Sequence, residues 1–199
     1  MKNILKIISL IAMSQFFFTD LHAQGYTSIQ YHLGIPVGDF KDYIENSSYS
    51  GMAIDYNFKV SPSFAIGAGI GWNAFYERKP YATYEDGTAS LSGIQYRYSN
   101  VMPVHLTGQY FFLKESNWQP YASFGVGTLF SNRTTDMGLY RWNEDAWRFS
   151  LKPEAGVTYS PWHFAGLKAS VKYNQVFKKP DTDEGHSFWT VGLGVVFIK

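Results

Sequence analysis

From Gly25 to the C-terminus the chain repeats with a period of two, and helical spacing never holds for long. Apolar side chains on every second residue, with small or polar residues between them, describe strands with two unlike faces. Eight segments carry the pattern, over 28–37, 51–60, 64–77, 97–112, 121–131, 147–159, 165–174 and 189–197. In the last of them Trp189, Val191, Leu193, Val195 and Phe197 alternate with Thr190, Gly192 and Gly194. Several segments exceed the ~9 to 11 residues with which a tilted strand crosses a bilayer.

The connections take turns in length. Short links at 61–63, 114–118 and 160–163 separate long ones at 38–50, 78–93, 133–146 and 178–187. Short and long connections in strict rotation describe a meander of hairpins, and closing it removes the exposed edges. The predicted fold is all-β: an eight-stranded antiparallel up-and-down transmembrane β-barrel, with four long extracellular loops.

Alternation alone leaves two orientations open: apolar face inward, as in a soluble barrel with an apolar ligand pocket, or outward into lipid. Three features favour lipid. The charges within strands, Asp55, Lys59, Glu77, Arg97, Arg148, Lys152, Glu154, Lys168 and Lys172, all fall on the polar face. That face is also rich in glycine, including Gly67, Gly69, Gly71, Gly125, Gly127, Gly192 and Gly194, as a narrow lumen crowded with long side chains requires. Aromatic residues on the apolar face gather at strand ends. Tyr76, Tyr98, Phe130, Trp147 and Tyr173 lie toward the long loops, and Phe58, Phe64, Phe112, Tyr159 and Phe197 toward the short turns. Two aromatic belts are what the two interfaces of a membrane favour.

Composition narrows the class further. The chain of 199 residues has no cysteine, 19% aromatic residues, 18 glycines, and 17 Lys plus Arg against 16 Asp plus Glu. Disulfide frameworks, thiolate metal sites and a lipid-anchored cysteine are excluded. So is a strongly basic nucleic-acid surface. Beyond the first 20 residues no apolar run approaches the ~18 of a membrane-spanning helix. The first 23 residues have the layout of a secretory signal peptide: Lys2 and Lys6, an apolar stretch from Ile7 to Phe18, and Leu21-His22-Ala23 before Gln24. Residues 24–199 are then the barrel domain.

The segment Gly34-Ile-Pro-Val-Gly-Asp-Phe40, the run Val101-Met-Pro-Val-His-Leu106 and the closing Val191-Gly-Leu-Gly-Val-Val-Phe197 carry a family resemblance. With them the mature chain resembles the small outer-membrane β-barrel domain family common in Bacteroidota, akin to OmpX and the OmpA membrane domain. The resemblance implies residence in the cell outer membrane, contact with outer-membrane lipid and lipopolysaccharide, and insertion by the barrel assembly machinery. Such barrels usually end on an aromatic residue, whereas here Phe197 is followed by Ile198 and Lys199.

An eight-stranded barrel has room inside only for side chains. The expected lumen network comprises Asp55, Glu77, Arg97, Arg148, Lys152, Glu154, Lys168 and Lys172, and these charges must pair to offset their desolvation. If the 160–163 turn sets the register, Glu154 stands opposite Lys168. His32 and His105 are placed in the lumen, His163 in a short turn and His186 at a loop edge. No catalytic, cofactor-binding or metal-ligating set emerges. Ser99 with His105, or Ser187 with His186, only mimics a hydrolytic pair. Gly67 to Gly71 is not followed by a helix that could complete a phosphate cradle. The Asp181-Thr-Asp-Glu184 run offers oxygen ligands for weak Ca²⁺ binding but lacks fuller ligand spacing. The expected role is non-enzymatic, structural or surface-interacting, carried by a monomer whose loops meet an unidentified ligand. A narrow channel along the charged lumen and a lipid-modifying site at the rim are the alternatives.

Overall fold

A computed structural model describes residues 25–86, 89–113, 116–178 and 185–198. The leader expected over 1–23 and the acidic run 181–184 lie outside the described residues. Eight strands follow one another: β1 Gly25–Pro36, β2 Ser50–Ser61, β3 Phe64–Asp86, β4 Ala89–Phe111, β5 Trp118–Met137, β6 Tyr140–Tyr159, β7 Ala165–Val176 and β8 Phe188–Ile198. One short helix, α1 Asp39–Tyr43, lies between β1 and β2. Each strand pairs with its sequence neighbours, and β1 pairs with β8 from Tyr26↔Ile198 to Pro36↔Phe188. The result is a closed antiparallel barrel.

Burial fixes the orientation. Leu106 and Leu193 are 71% and 65% exposed, whereas Ser28 and Ser150 are fully buried and Asp55, Lys152, Lys168 and Lys172 almost so. Apolar outside and charged inside is the reverse of a soluble barrel. Such an exterior is at its free-energy minimum only against lipid. The lumen glycines make the interior possible. A Cβ at Gly69 would strike the Asp55 carboxylate, and one at Gly125 would press on Lys152 and His105 at 3.2 and 3.3 Å.

Strand lengths are unequal. β1, β2, β7 and β8 have 11 or 12 residues, enough to cross a bilayer, whereas β3 to β6 have 20 to 23. The segments 78–93 and 133–146, expected as long loops, are therefore largely strand. β3 and β4 stay paired to Asp86↔Ala89, and β5 and β6 to Met137↔Tyr140. Gly138, with φ of 61°, begins the two-residue turn between β5 and β6, where a positive φ matches the twist of the flanking strands. Some ten residues of each long strand, at ~3.3 Å per residue and a tilt near 40°, carry a four-stranded sheet roughly 25 Å beyond the rim.

The interior is layered rather than uniformly polar. At the long-loop end Phe75, Val101, Leu129, Val176 and Phe188 point inward and close on Phe40 and Ile44, delivered by α1 and the residue after it. At the short-turn end Tyr26, Ala65, Phe111, Tyr121 and Val196 form a second apolar layer. Strand alternation places apolar side chains only on the outer face and so misses most of these plugs.

Candidate functional site

The middle layer gathers five of the eight expected lumen charges. Lys152, Lys168 and Lys172 surround two carboxylates. Their Nζ atoms stand 3.5, 3.9 and 3.6 Å from Asp55 oxygens and 3.7, 3.4 and 3.8 Å from Glu154 oxygens. Tyr121 donates its hydroxyl to Glu154 Oε1 at 2.7 Å, and Gln30 Nε2 donates to Asp55 Oδ2 at 3.0 Å. The register differs from the one expected. Glu154 stands opposite Lys172, and Lys168 opposite Thr158. Pairing of β6 with β7 begins at Tyr159↔Leu167, so residues 160–166 separate the paired positions and β7 is displaced by four residues from the expected register; an even slip keeps every side chain on its face.

The other three charges sit higher, around the mouth. Arg148 donates to the Ser131 hydroxyl and pairs with Glu144 at 2.9 Å. Glu77 accepts the Glu45 backbone N–H at 2.9 Å and pairs with Lys79 at 3.0 Å. Arg97 donates to the Tyr43 carbonyl at 2.7 Å and lies 5.0 Å from the Tyr43 ring. Arg133, read from the sequence as a loop charge, is buried against Tyr43 at 4.4 Å.

Helix α1 is thus docked into the mouth by its apolar side and tied at its rim. Phe40 stacks on His186 with centroids 5.3 Å apart. His186, expected at a loop edge, is fully buried. Burial first, and then the Arg133 and Arg148 charges, lower its pKa from 6.5 to about 2. Asp39 accepts from Lys178 at 2.6 Å and from the Gly185 backbone N–H at 3.3 Å. The Lys178 hydrogen bond holds the Asp39 carboxyl below its ordinary range, and Lys79 does the same for Glu45.

Neither imagined hydrolytic pair is assembled. His105 Nε2 meets Ser150 Oγ at 2.8 Å rather than Ser99, six residues away along the same strand. The Ser187 hydroxyl accepts the Val176 backbone N–H at 3.1 Å. Among the described residues no group of three or more acidic or histidine side chains is placed to hold a metal ion.

The outer wall carries the expected aromatic residues in pairs. Tyr76 lies 5.1 Å from Tyr98, Phe130 5.2 Å from Trp147, and Tyr173 4.8 Å from Trp189. Toward the short turns Phe58 meets Tyr56 at 4.6 Å, Phe112 meets Tyr110 at 5.4 Å, and Tyr159 meets Trp118 at 4.4 Å. Phe64 and Phe197 face outward at the same end. Tyr56, Tyr110, Trp118 and Trp189 extend the belts beyond the sequence assignment.

Above the rim the sheet of β3 to β6 has two edges. Residues 44–48 screen the β3 edge, through Asn46 Nδ2 to the Tyr76 carbonyl at 3.4 Å and the Ser48 hydroxyl to the Ala74 carbonyl. The β6 edge from Tyr140 to Arg148 has no strand partner among the described residues, since β7 pairing ends at Ser150↔Val176. Tyr140 and Trp142 stack on this strand at 5.9 Å and are about half exposed, and Leu139 at the turn is fully exposed. Beside that turn the longer β3–β4 hairpin leaves an open groove of about 490 Å³, bordered by Tyr81, Leu91, Ile94, Tyr96 and Leu139.

No protein-family profile and no curated protein matches the sequence. Solved structures do match the fold. Ail, the attachment invasion locus protein of Yersinia pestis, superposes with a TM-score of 0.54 at 11% identity, over 89% of this chain and 97% of that one. OprG of Pseudomonas aeruginosa gives 0.55 at 12% identity, over 89% and 96%. A major outer membrane protein of Thermus thermophilus gives 0.56 at 11%, over 89% and 100%. The chain has the fold of the small eight-stranded outer-membrane β-barrels.

Proposed function

We propose that this chain is a non-enzymatic outer-membrane protein that meets partners at the cell surface through the sheet of β3 to β6. The observation that carries the reading is the difference in strand length: four strands stop near the membrane and four continue as an ordered sheet. A rigid sheet with exposed Tyr81, Tyr140 and Trp142 offers amphipathic anchors at low entropic cost, the residue types that dominate protein contacts. The β6 edge beside them, unpaired among the described residues, presents backbone donors and acceptors to an extended segment of a partner. Among the barrels sharing the fold, Ail bears attachment and invasion in its name, which agrees with a surface role. Membership of the Bacteroidota-type barrel family is part of the same proposal and rests on the Gly34–Phe40, Val101–Leu106 and Val191–Phe197 motifs.

The channel reading has two apolar layers against it, and the middle cavity, about 20 Å³, has room for about one water. The surface reading is tested by cutting residues 79–94 and 135–142 back to tight turns. The shortened barrel is expected to fold and insert while cells displaying it lose attachment to protein-coated and glycan-coated surfaces. Undiminished attachment by the shortened form would count against the sheet.

A further inference from the structure

The middle layer of the lumen is short of negative charge. Lys152, Lys168 and Lys172 face Asp55 and Glu154 there, three cations against two anions, between apolar layers that separate them from water. The nearest charges beyond are Arg148, already paired with Glu144 at the mouth, and Lys59 at the opposite end over the Phe111 ring. His32 and His105 supply no negative charge. An unbalanced cation at this depth is costly, and mutual pairing of the five groups cannot remove it.

The same layer holds a small space of about 20 Å³ bordered by His32, Asn73 and Lys172. Each presents a buried nitrogen without a hydrogen-bond partner: Lys172 Nζ, Asn73 Nδ2 and His32 Nε2. All three side chains are at least 96% buried. Lys172 Nζ and Asn73 Nδ2 are donors only, and His32 Nε2 donates in one tautomer. Three such residues on the lining of one space ask for an acceptor. The carboxylate bordering the same space is shared among many donors: Asp55 Oδ2 accepts from Gln30 and Ser28 and lies 3.6 Å from Lys172 Nζ, and Oδ1 lies 3.5 Å from Lys152 Nζ.

We infer that this space binds one monovalent, halide-sized anion, held by Lys172, Asn73 and His32. Water would satisfy donors there but balance the layer only with one lysine deprotonated, whereas a halide accepts the same bonds and balances the charge with all three ammonium groups intact. The volume has no room for sulfate or phosphate. Gly69 and Gly71, which also border the space, keep it open; a Cβ at Gly69 would reach the Asp55 carboxylate. With both ends of the lumen plugged, the ion enters as the barrel closes and exchanges slowly afterwards.

The test uses the full mature chain refolded in detergent with bromide, then passed into halide-free gluconate buffer. Bromide per folded chain is measured by mass spectrometry, and folding by the heat-sensitive mobility of the barrel on gels. The wild type is expected to retain one bromide per chain, and Lys172→Met, whose layer is balanced at two against two, to fold and retain none. Folded wild type without bromide, or Lys172→Met with as much as wild type, overturns the inference. If Lys172→Met does not fold, bromide anomalous scattering from wild-type crystals decides. A peak between Lys172, Asn73 and His32 supports the site, and its absence there overturns it.

Discussion

Asp55 and Gly69 show how single residues set the interior. Asp55 faces three ammonium groups, and Gly69 is the only residue type that leaves its carboxylate room. Asp55→Asn leaves three cations to one carboxylate and is expected to cost about 3 to 5 kcal/mol. Gly69→Ala overpacks the lumen and is expected to cost about 1 to 3 kcal/mol. Gly108→Ala is the control, because its Cβ meets the Phe64 ring at an ordinary 3.4 Å. Urea unfolding from lipid vesicles, followed by tryptophan fluorescence, checks the order. Equal stability of Gly69→Ala and Gly108→Ala would mean that the lumen is looser than described.

At the scale of the element, α1 is the part whose docking responds to pH. In the docked state the His186 pKa lies near 2, while in the undocked loop it returns to about 6.5. Above about pH 6.5 both states are neutral and His186 contributes nothing to the balance. As pH falls below that value the undocked state takes up a proton that the docked state refuses, so docking weakens. The depressed carboxyls of Asp39 and Glu45 act in the same direction at lower pH, since their ties hold at neutrality and are lost as they protonate. Hydrogen exchange over residues 38–48, corrected for intrinsic rates, is expected to show less protection at pH 5 than at pH 7.5. Replacing His186 with Phe should remove most of that difference, and equal protection at the two pH values would contradict the docking.

The elements also show what a sequence can reveal. Each membrane-crossing segment was legible because lipid on one side and packed polar groups on the other impose opposite chemistries on alternate residues. Above the rim that contrast fades. Thr134 and Asp136 face one way and Thr135 and Met137 the other, with polar residues on both faces, so strands there resemble loops. The lumen charges were legible for the same reason as the strands, but Phe75, Val101 and Leu129 were not. An inward plug is chemically indistinguishable from a lipid-facing residue, and only strand parity, followed without interruption, separates them. Phe40 and His186 lie on loops, where no periodicity exists to place them.

As a whole molecule the chain is a plugged barrel carrying an ordered sheet, with apolar surface toward lipid, short turns on one side and the sheet on the other. This arrangement makes the lumen a structural core, and under the proposed function the projecting strands carry the interaction. Because the chain has no native cysteine, single cysteines report each region cleanly. Leu139→Cys lies at the tip of the sheet, Trp162→Cys in a short turn and Leu193→Cys on the apolar wall, and all three native side chains are more than half exposed from the protein itself. With a membrane-impermeant maleimide, Leu139→Cys is expected to label on intact cells, Trp162→Cys only after the outer membrane is permeabilised, and Leu193→Cys in neither case while the barrel is folded. Labelling of Trp162→Cys on intact cells would contradict the topology, and labelling of Leu193→Cys in the folded protein would contradict the lipid-facing wall.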